Sequence, residues 1–471
     1  MEQLPIRDDG SGSMPVPPLG QQLKRVVQLS IPAILAQISS MAMQYIDAAM
    51  VGSLGANASA AIGLVSTSTW LMGGLCISLA TGFSVQVAQL IGGGREEEAR
   101  SVLRQSLVCA LAMGLLLAAV GMSISVWLPA WLGGKAEILS DASSYFLIYA
   151  SALPAVQMRQ LAGSMLQCSG NMKTPSLLNA LMCLEDVVFN ALLIFPGLSL
   201  PLVGLRIPGA DMGVAGAALG TALAEWLTAA LMLLAVCLRS PRLHLQHRPG
   251  EGWRVTGKYL SAAARIAVPM AFEHTVLCGA QIASTRIVAP LGTVSIAANS
   301  LAVTAESLCY LPGYGIAAAA TTLVGQSLGA ERRDLARRYA RLSVLLAVLL
   351  MSAMAVLMFL LAPAVFHLLT PDPDVQALGV QVLRIEAFAE PLYAVSIAAA
   401  GAMRGAGDTL IPSLLNLASM WGVRITAAAL LAPRLGLVGV WLAMCGELCV
   451  RGLLFLIRLL RGRWLDRSLA V

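Results

Sequence analysis

Apolar residues along this chain come in blocks of about twenty or more, divided by short polar stretches. The blocks cover roughly 27–52, 60–91, 103–128, 142–164, 174–195, 213–237, 262–288, 296–327, 339–367, 380–403, 411–432 and 437–459. A helix rises 1.5 Å per residue, so about 20 residues cross the ~30 Å hydrocarbon layer. Lipid offers no partner to free backbone N–H and C=O groups, which leaves only helices or a closed barrel. Barrel strands run to about ten residues and alternate apolar with polar. These blocks do neither. The pattern predicts an all-α polytopic membrane protein with twelve transmembrane helices.

Register along the chain adds an internal repeat. MVGSLGANASAA at 50–61 resembles RIVAPLGTVSIAA at 286–298, AQLIGGGREEEAR at 88–100 resembles GQSLGAERRDLAR at 325–337, and SGNMKTPSLLN at 169–179 resembles AGDTLIPSLLN at 406–416. Pro32 and Pro269, Leu54 and Leu291, Gln89 and Gln326, and Pro175 and Pro412 are each separated by 237 positions. The register breaks after the fifth span, where the first half carries the longer loop PGLSLPLVGLRIPGAD. Each repeat therefore holds six helices. The even count returns the chain to its starting side, so the repeats are parallel. That predicts a pseudo-two-fold axis along the membrane normal and a central cavity suited to alternating access. The expected organisation is a cytosolic tail (1–25), an N-lobe (26–238), a cytosolic linker (239–260), a C-lobe (261–460) and a second cytosolic tail (461–471).

Composition agrees with the pattern. Of 471 residues, 58% are hydrophobic and 12% charged, with mean hydropathy +0.77. Soluble domains carry roughly 25% charged residues, and half that number cannot cover a water-facing surface. The net charge of +6 is mostly arginine in alternate loops. Arg95, Arg100 and Arg104 lie in one; Arg239, Arg242, Arg248, Arg254 and Lys258 in the next; Arg332, Arg333, Arg337, Arg338 and Arg341 in a third. Arg458, Arg461, Arg463 and Arg467 follow near the end, while the opposite loops hold little beyond Lys135, Arg206 and Arg434. The positive-inside rule puts both termini in the cytoplasm. The polar, Gly- and Pro-rich start has no apolar core and reads as a tail, not a signal peptide. No basic patch is interleaved with aromatics, which argues against nucleic acid. The nine cysteines fall mostly in apolar blocks without CxxC spacing and read as small buried residues.

Ionisable groups inside spans are costly and so are functional candidates by default. Gln37, Ser40, Gln44 and Asp47 recur at three, four and three residues and share one helix face. Such a stripe faces a cavity or another helix; the plainer alternative for Asp47 is a helix-packing hydrogen bond. On the fifth span Asn179, Asp186 and Asn190 share a face, and a carboxylate among amide oxygens suits a hard cation or a shared proton. Glu185 points about 100° away, towards a different contact. Thr221 on the sixth span could add a hydroxyl. In the second half Glu273 stands where the repeat has Ala36, and Ser284 stands where it has Asp47, so each half has its own acid. His274 is a possible proton partner or a locally satisfied histidine. Glu306 and Glu390, just before Pro391, are further candidates, while Glu386 is expected to pair with Arg384 at a membrane edge. No GxxxxGK[ST], GxSxG, HExxH or Cys/His metal spacing occurs, so neither ATP hydrolysis by a phosphate loop nor an intramembrane enzyme is indicated.

The stretches IDAAMVGSLGANASAAIG (46–63), GQSLGAERRDLAR, GAMRGAGDTLIPSLLN and GVAGAALGTALAE resemble hallmarks of the multidrug and toxic compound extrusion (MATE) family, and the likeness runs from about 22 to 460. The resemblance implies two six-helix lobes exporting organic, often cationic, small molecules in exchange for inward H⁺ or Na⁺. By position, Asp47 matches the family's first-helix acid. Asp186, Asn190 and Thr221 fall where some members build an N-lobe cation site, with the fifth-span Asn and Asp in reversed order; a Na⁺ would sit at Asp47, Asp186 and Asn190. Glu273 matches a seventh-helix acid. The family's tenth-helix acid falls on Tyr393, with Glu390 about one turn earlier. Gln37, Ser40, Gln44, Asn179, Ser284 and Tyr393 are expected to line the cavity. No cofactor beyond the coupling ion is implied. The expectation is a monomer in the lipid bilayer of the inner membrane. The alternative is a flippase for a lipid-linked precursor, which should present a cationic cavity for phosphates; the candidate cavity groups here are mainly acids.

Overall fold

A computed structural model describes residues 17–200, 205–245, 253 and 255–467. Tail residues 1–16 and 468–471, Arg248 and Arg254 of the linker, and loop residues 201–204 lie outside the described residues. The chain runs as α1 (Leu19–Gly52), α2 (Ala56–Gly92), α3 (Glu96–Ile124), a single turn α4 (Leu128–Trp131), α5 (Ala136–Cys168) and α6 (Lys173–Ile194). An antiparallel hairpin, β1 (Gly197–Leu200) with β2 (Leu205–Pro208), fills the long loop that breaks the repeat register. Then come α7 (Gly213–Leu234), ending in a π turn, α8 (Gly257–Val288), α9 (Thr293–Gly329), α10 (Arg333–Leu369), α11 (Pro373–Ala387), α12 (Glu390–Gly405), α13 (Leu410–Ser419) and, after wide π turns, α14 (Thr426–Arg461).

Among the described residues nine helices are long and apolar enough to cross a membrane, counting Leu410–Arg461 as one. That one is two rods, because Gly436 takes φ 60°, ψ −141° inside it, a backbone state open to glycine without Cβ strain. The more polar α5 and the broken pair α11–α12 supply the remaining rods, giving twelve. The chain is a polytopic all-α membrane protein. Several helices run longer than their apolar blocks. α1 begins at Leu19 rather than 27, and α3 starts at Glu96 with Glu96, Glu97 and Glu98 in its first turn, where acids complement the helix dipole.

Two compact units emerge. Among the described residues, the C-terminal unit takes 17–37, 88–94 and 268–467, and the N-terminal unit takes those within 38–87 and 95–267. These differ from lobes cut at the linker: 26–37 and 88–94 fall with the C-terminal unit, 261–267 with the N-terminal one. Close backbone approaches explain the difference. Within the N-terminal unit, a Cβ at Gly82 would meet the Ala263 carbonyl, and Gln86 Nε2 donates to the Tyr259 carbonyl (3.1 Å). Within the C-terminal unit, a Cβ at Gly315 would meet the Ile34 backbone, and Gln89 Nε2 donates to the Gly405 carbonyl (3.0 Å).

The repeat is visible in the helix ends. α2 and α9 are both 37 residues long and end at Gly92 and Gly329, 237 positions apart. A Cβ at Gly92 would run into the Gln326 carbonyl, and one at Gly329 into the Gln89 carbonyl. Gln89 and Gln326 are themselves repeat partners, so the contact is reciprocal. The following residues, Arg95 (φ −93°, ψ 59°) and Arg332 (φ −95°, ψ 74°), take nearly the same conformation, and each pairs with an acid just downstream, Glu98 and Asp334. Glycine is needed at both ends because only a hydrogen lets the two backbones touch.

Candidate functional site

In the N-terminal unit α1 and α6 bring two carboxylates onto one amide. Asn190 Nδ2 donates to Asp47 Oδ1 (2.9 Å) and to Asp186 Oδ2 (3.0 Å). Asp186 and Asn190 lie one turn apart on α6 and are fully buried; Asp47 is partly buried near the end of α1. Asp186 Oδ1 and Asn190 Oδ1 are buried with no hydrogen-bond partner. The Thr221 hydroxyl of α7 adjoins Asp186. Gly220 makes room for the cluster, since a Cβ there would collide with Asn190 Oδ1. The arrangement therefore offers oxygens from Asp47, Asp186, Asn190 and Thr221, two of them without a donor. A cation fits this donor set: its charge answers the two carboxylates, and the unpartnered oxygens are its natural ligands.

Other predicted residues settle elsewhere. Asn179 shares the helix face of Asp186 but lies two turns away, and its Oδ1 accepts from Arg159 Nη1 (3.4 Å). Glu185 accepts from Thr228 (3.2 Å), a separate contact as its angle implied. Of the α1 stripe, Gln37 belongs to the C-terminal unit, Ser40 is partly buried in the N-terminal unit, and Gln44 is exposed. Beside the cluster runs an ion pair that sequence reasoning missed. Arg159 of α5 grips Glu225 of α7 with two bonds, Nε to Oε2 (2.5 Å) and Nη2 to Oε1 (3.0 Å). The signal was present, since both residues are charged and sit mid-span.

The C-terminal unit handles its charges differently. Both oxygens of Glu273 on α8 are satisfied by α13, with Ser413 Oγ at 2.7 Å and Asn416 Nδ2 at 2.6 Å. Glu273 opens onto a cavity of about 140 Å³ whose lining includes Glu306, Tyr393, Arg404, Arg424 and Arg451. The expectation of a mainly acidic cavity fails in this unit, where three guanidiniums face two carboxylates. Arg451 is held by Glu447 one turn earlier (2.7 and 2.8 Å) and lies over the Tyr393 ring (5.9 Å). Ser284 is partly buried, and His274 and Ser284 make no side-chain hydrogen bond among the described residues.

Glu386 does not pair with Arg384. Residues two apart on a helix do not face each other. Arg384 instead stacks on Phe359 (5.0 Å) and donates to the Phe359 carbonyl (3.3 Å). Glu386 is fully buried beside Glu306 and Glu390, one ligand oxygen from each lying within 4.8 Å of the others. Glu390 is thus part of an acidic trio, not a stand-in at the Tyr393 position.

Among the described residues, twelve membrane-length rods in two homologous sets, with charge clusters buried among them, define a membrane carrier. The chain belongs to the MatE family, whose profile matches residues 32–192 and 269–430. It is 25% identical over 450 residues to a probable multidrug resistance protein NorM of Thermotoga maritima, covering 94% of each chain. It is 26% identical over 444 residues to the multidrug resistance protein MdtK of Pectobacterium atrosepticum, covering 90% of this chain and 92% of that one. Its fold superposes on a Vibrio cholerae MATE transporter, VcmN, with TM-score 0.86 at 18% identity over 94% of this chain and 97% of the other. It is a transporter, not an enzyme.

Proposed function

We infer that this chain is a multidrug efflux antiporter that exports organic small molecules in exchange for inward H⁺ or Na⁺. The family and the multidrug-resistance names of its relatives support efflux over the flippase reading. The observation that carries the coupling step is the amide bridge of Asn190 between Asp47 and Asp186, beside two buried oxygens without donors. Two carboxylates this close in a low dielectric create one charge deficit. A proton, a sodium ion or the cationic group of a cargo relieves it. Competition for the deficit couples opposite fluxes, and a cation that binds the inward and outward states unequally biases one over the other. Because the C-terminal cavity is rich in arginine, a preference for cationic cargo rests on the N-terminal acids. Both repeats lie on one chain, so a monomer in the cell's inner membrane, with both termini cytoplasmic, suffices.

The test is efflux from proteoliposomes under an imposed pH or Na⁺ gradient, one at a time. Asp47→Asn removes the deficit at nearly constant volume. It should abolish gradient-driven export while the protein remains inserted and monodisperse. Near wild-type concentrative export by that variant would make Asp47 a packing residue and remove the site.

A further inference from the structure

Three helices of the C-terminal unit converge three carboxylates on one buried point. Glu306 comes from the middle of α9, Glu386 from the last turn of α11 and Glu390 from the first turn of α12. The tenth span is broken between the latter two, at Phe388 and Ala389. Glu386 and Glu390 are both fully buried, and none of their four oxygens has a hydrogen-bond partner. An ionised carboxylate taken out of water without a partner costs several kcal/mol, so an arrangement of this kind persists only with something to neutralise it. Arg424 is the nearby guanidinium, felt by Glu306 and Glu386, and it forms no ion pair among the described residues. One guanidinium against three carboxylates leaves charge that bound protons or a bound cation must neutralise.

The spacing selects the ligand. Oxygens up to 4.8 Å apart match opposite ligands of an ion bound at about 2.3–2.6 Å, the range of a hard cation held by carboxylates. Access exists as well. Glu306 also lines the 140 Å³ cavity, so an ion in the cavity meets one of the three ligands directly.

We propose that Glu306, Glu386 and Glu390 form a second, independent site for a hard metal cation, Na⁺ or Ca²⁺, in the C-terminal unit. It shares no residue with Asp47, Asp186, Asn190 and Thr221, and it is distinct from Glu273, whose oxygens are already satisfied by Ser413 and Asn416. Two separate sites would let the two units take up cations independently.

The experiment measures radioactive Na⁺ and, separately, Ca²⁺ bound to the purified full-length chain in detergent. Variants are Asp47→Asn, the double change Glu386→Gln with Glu390→Gln, and Glu306→Gln as a milder single change. Circular dichroism and gel filtration confirm that each remains folded. If Na⁺ is the occupant, the wild type binds roughly twice as much Na⁺ as either Asp47→Asn or the double variant, and combining them removes binding. If Ca²⁺ is the occupant, the double variant and Glu306→Gln lose Ca²⁺ while retaining Na⁺. The proposal is overturned if folded double and single variants keep wild-type amounts of both ions, or if Asp47→Asn alone removes all metal binding. Unchanged Na⁺ binding in Asp47→Asn, with loss in the double variant, would instead count against Na⁺ at the N-terminal site and leave the trio standing.

Discussion

The two units keep the same scaffold and diverge in how they treat buried charge. In the N-terminal unit two acids from different helices share one amide, and the only guanidinium beside them, Arg159 among the described residues, is already committed to Glu225. In the C-terminal unit the acid at the cavity wall has its own donors, three arginines share the lining, and the unsatisfied carboxylates lie behind, at the break between α11 and α12. The glycine-ended helices α2 and α9, by contrast, keep the same length and the same glycine at their ends. Duplication thus kept this one reciprocal backbone contact, while the close approaches at Gly82 and Gly315 belong to one half each, their repeat partners being Ala319 and Ser78. The charges were free to drift, since any local set of donors or counterions can satisfy them.

The sharpest way to break this comparison is through the two buried ion pairs. Arg159–Glu225 joins α5 to α7, whereas Arg451–Glu447 lies within α14 as an i, i+4 pair. Glu225→Gln strands a buried guanidinium and cuts a link between helices. It should cost about 3–5 kcal/mol and lower the melting temperature of the purified protein. Glu447→Gln strands a guanidinium too, yet cuts no tie between helices, and should cost less. Equal losses in thermal melts would mean that the interhelical link adds nothing beyond the lone charge.

A smaller effect separates the two acids that the sequence set side by side. Glu273 already has two donors, and Gln keeps one acceptor for them. Glu273→Gln should slow coupled efflux about tenfold, the weight of one charge-assisted hydrogen bond, where Asp47→Asn abolishes it. Proteoliposome efflux of both variants at matched insertion checks the ranking. An outcome in which Glu273→Gln is the dead variant would move the coupling step into the C-terminal unit.

Much of this was legible before any coordinates. Blocks of apolar residues give the spans, and the 237-residue register gives the repeat, because both are set by lipid thickness and backbone contact. The Asp47, Asp186 and Asn190 cluster was legible because α1 and α6 each carry a polar stripe with no other use in lipid. What failed were inferences from nearness in sequence. Glu386 and Arg384 are two residues apart but on different helix faces. Asn179 and Asp186 share a face, but seven residues are about 10 Å of helix, enough to reach a different partner. The trio was hidden because its members come from three helices and one of them sits across a break that Pro391 only hints at. Arg159 and Glu225 both lie within apolar blocks, and a mid-span arginine is the same kind of signal as a mid-span acid.

A further prediction bears on the shared scaffold itself. Gly92 and Gly329 press on the carbonyls of Gln326 and Gln89, which are each other's repeat partners. Alanine at either site puts a methyl group against a backbone oxygen that no side-chain rotation can move. The backbones must separate, at a cost of about 1–3 kcal/mol for an overpacked contact. Because the contact is reciprocal, the two changes strain the same pair of helix ends from opposite sides. Gly92→Ala and Gly329→Ala should therefore destabilise to the same extent, within about 0.5 kcal/mol, and the double variant should cost less than the two singles added, since the first separation relieves part of the second clash. Chemical or thermal denaturation of the three variants in one detergent reads this directly. Unequal single losses, or strict additivity in the double, would mean that the two ends are only similar in sequence and that the local two-fold contact between them is not a shared mechanical joint.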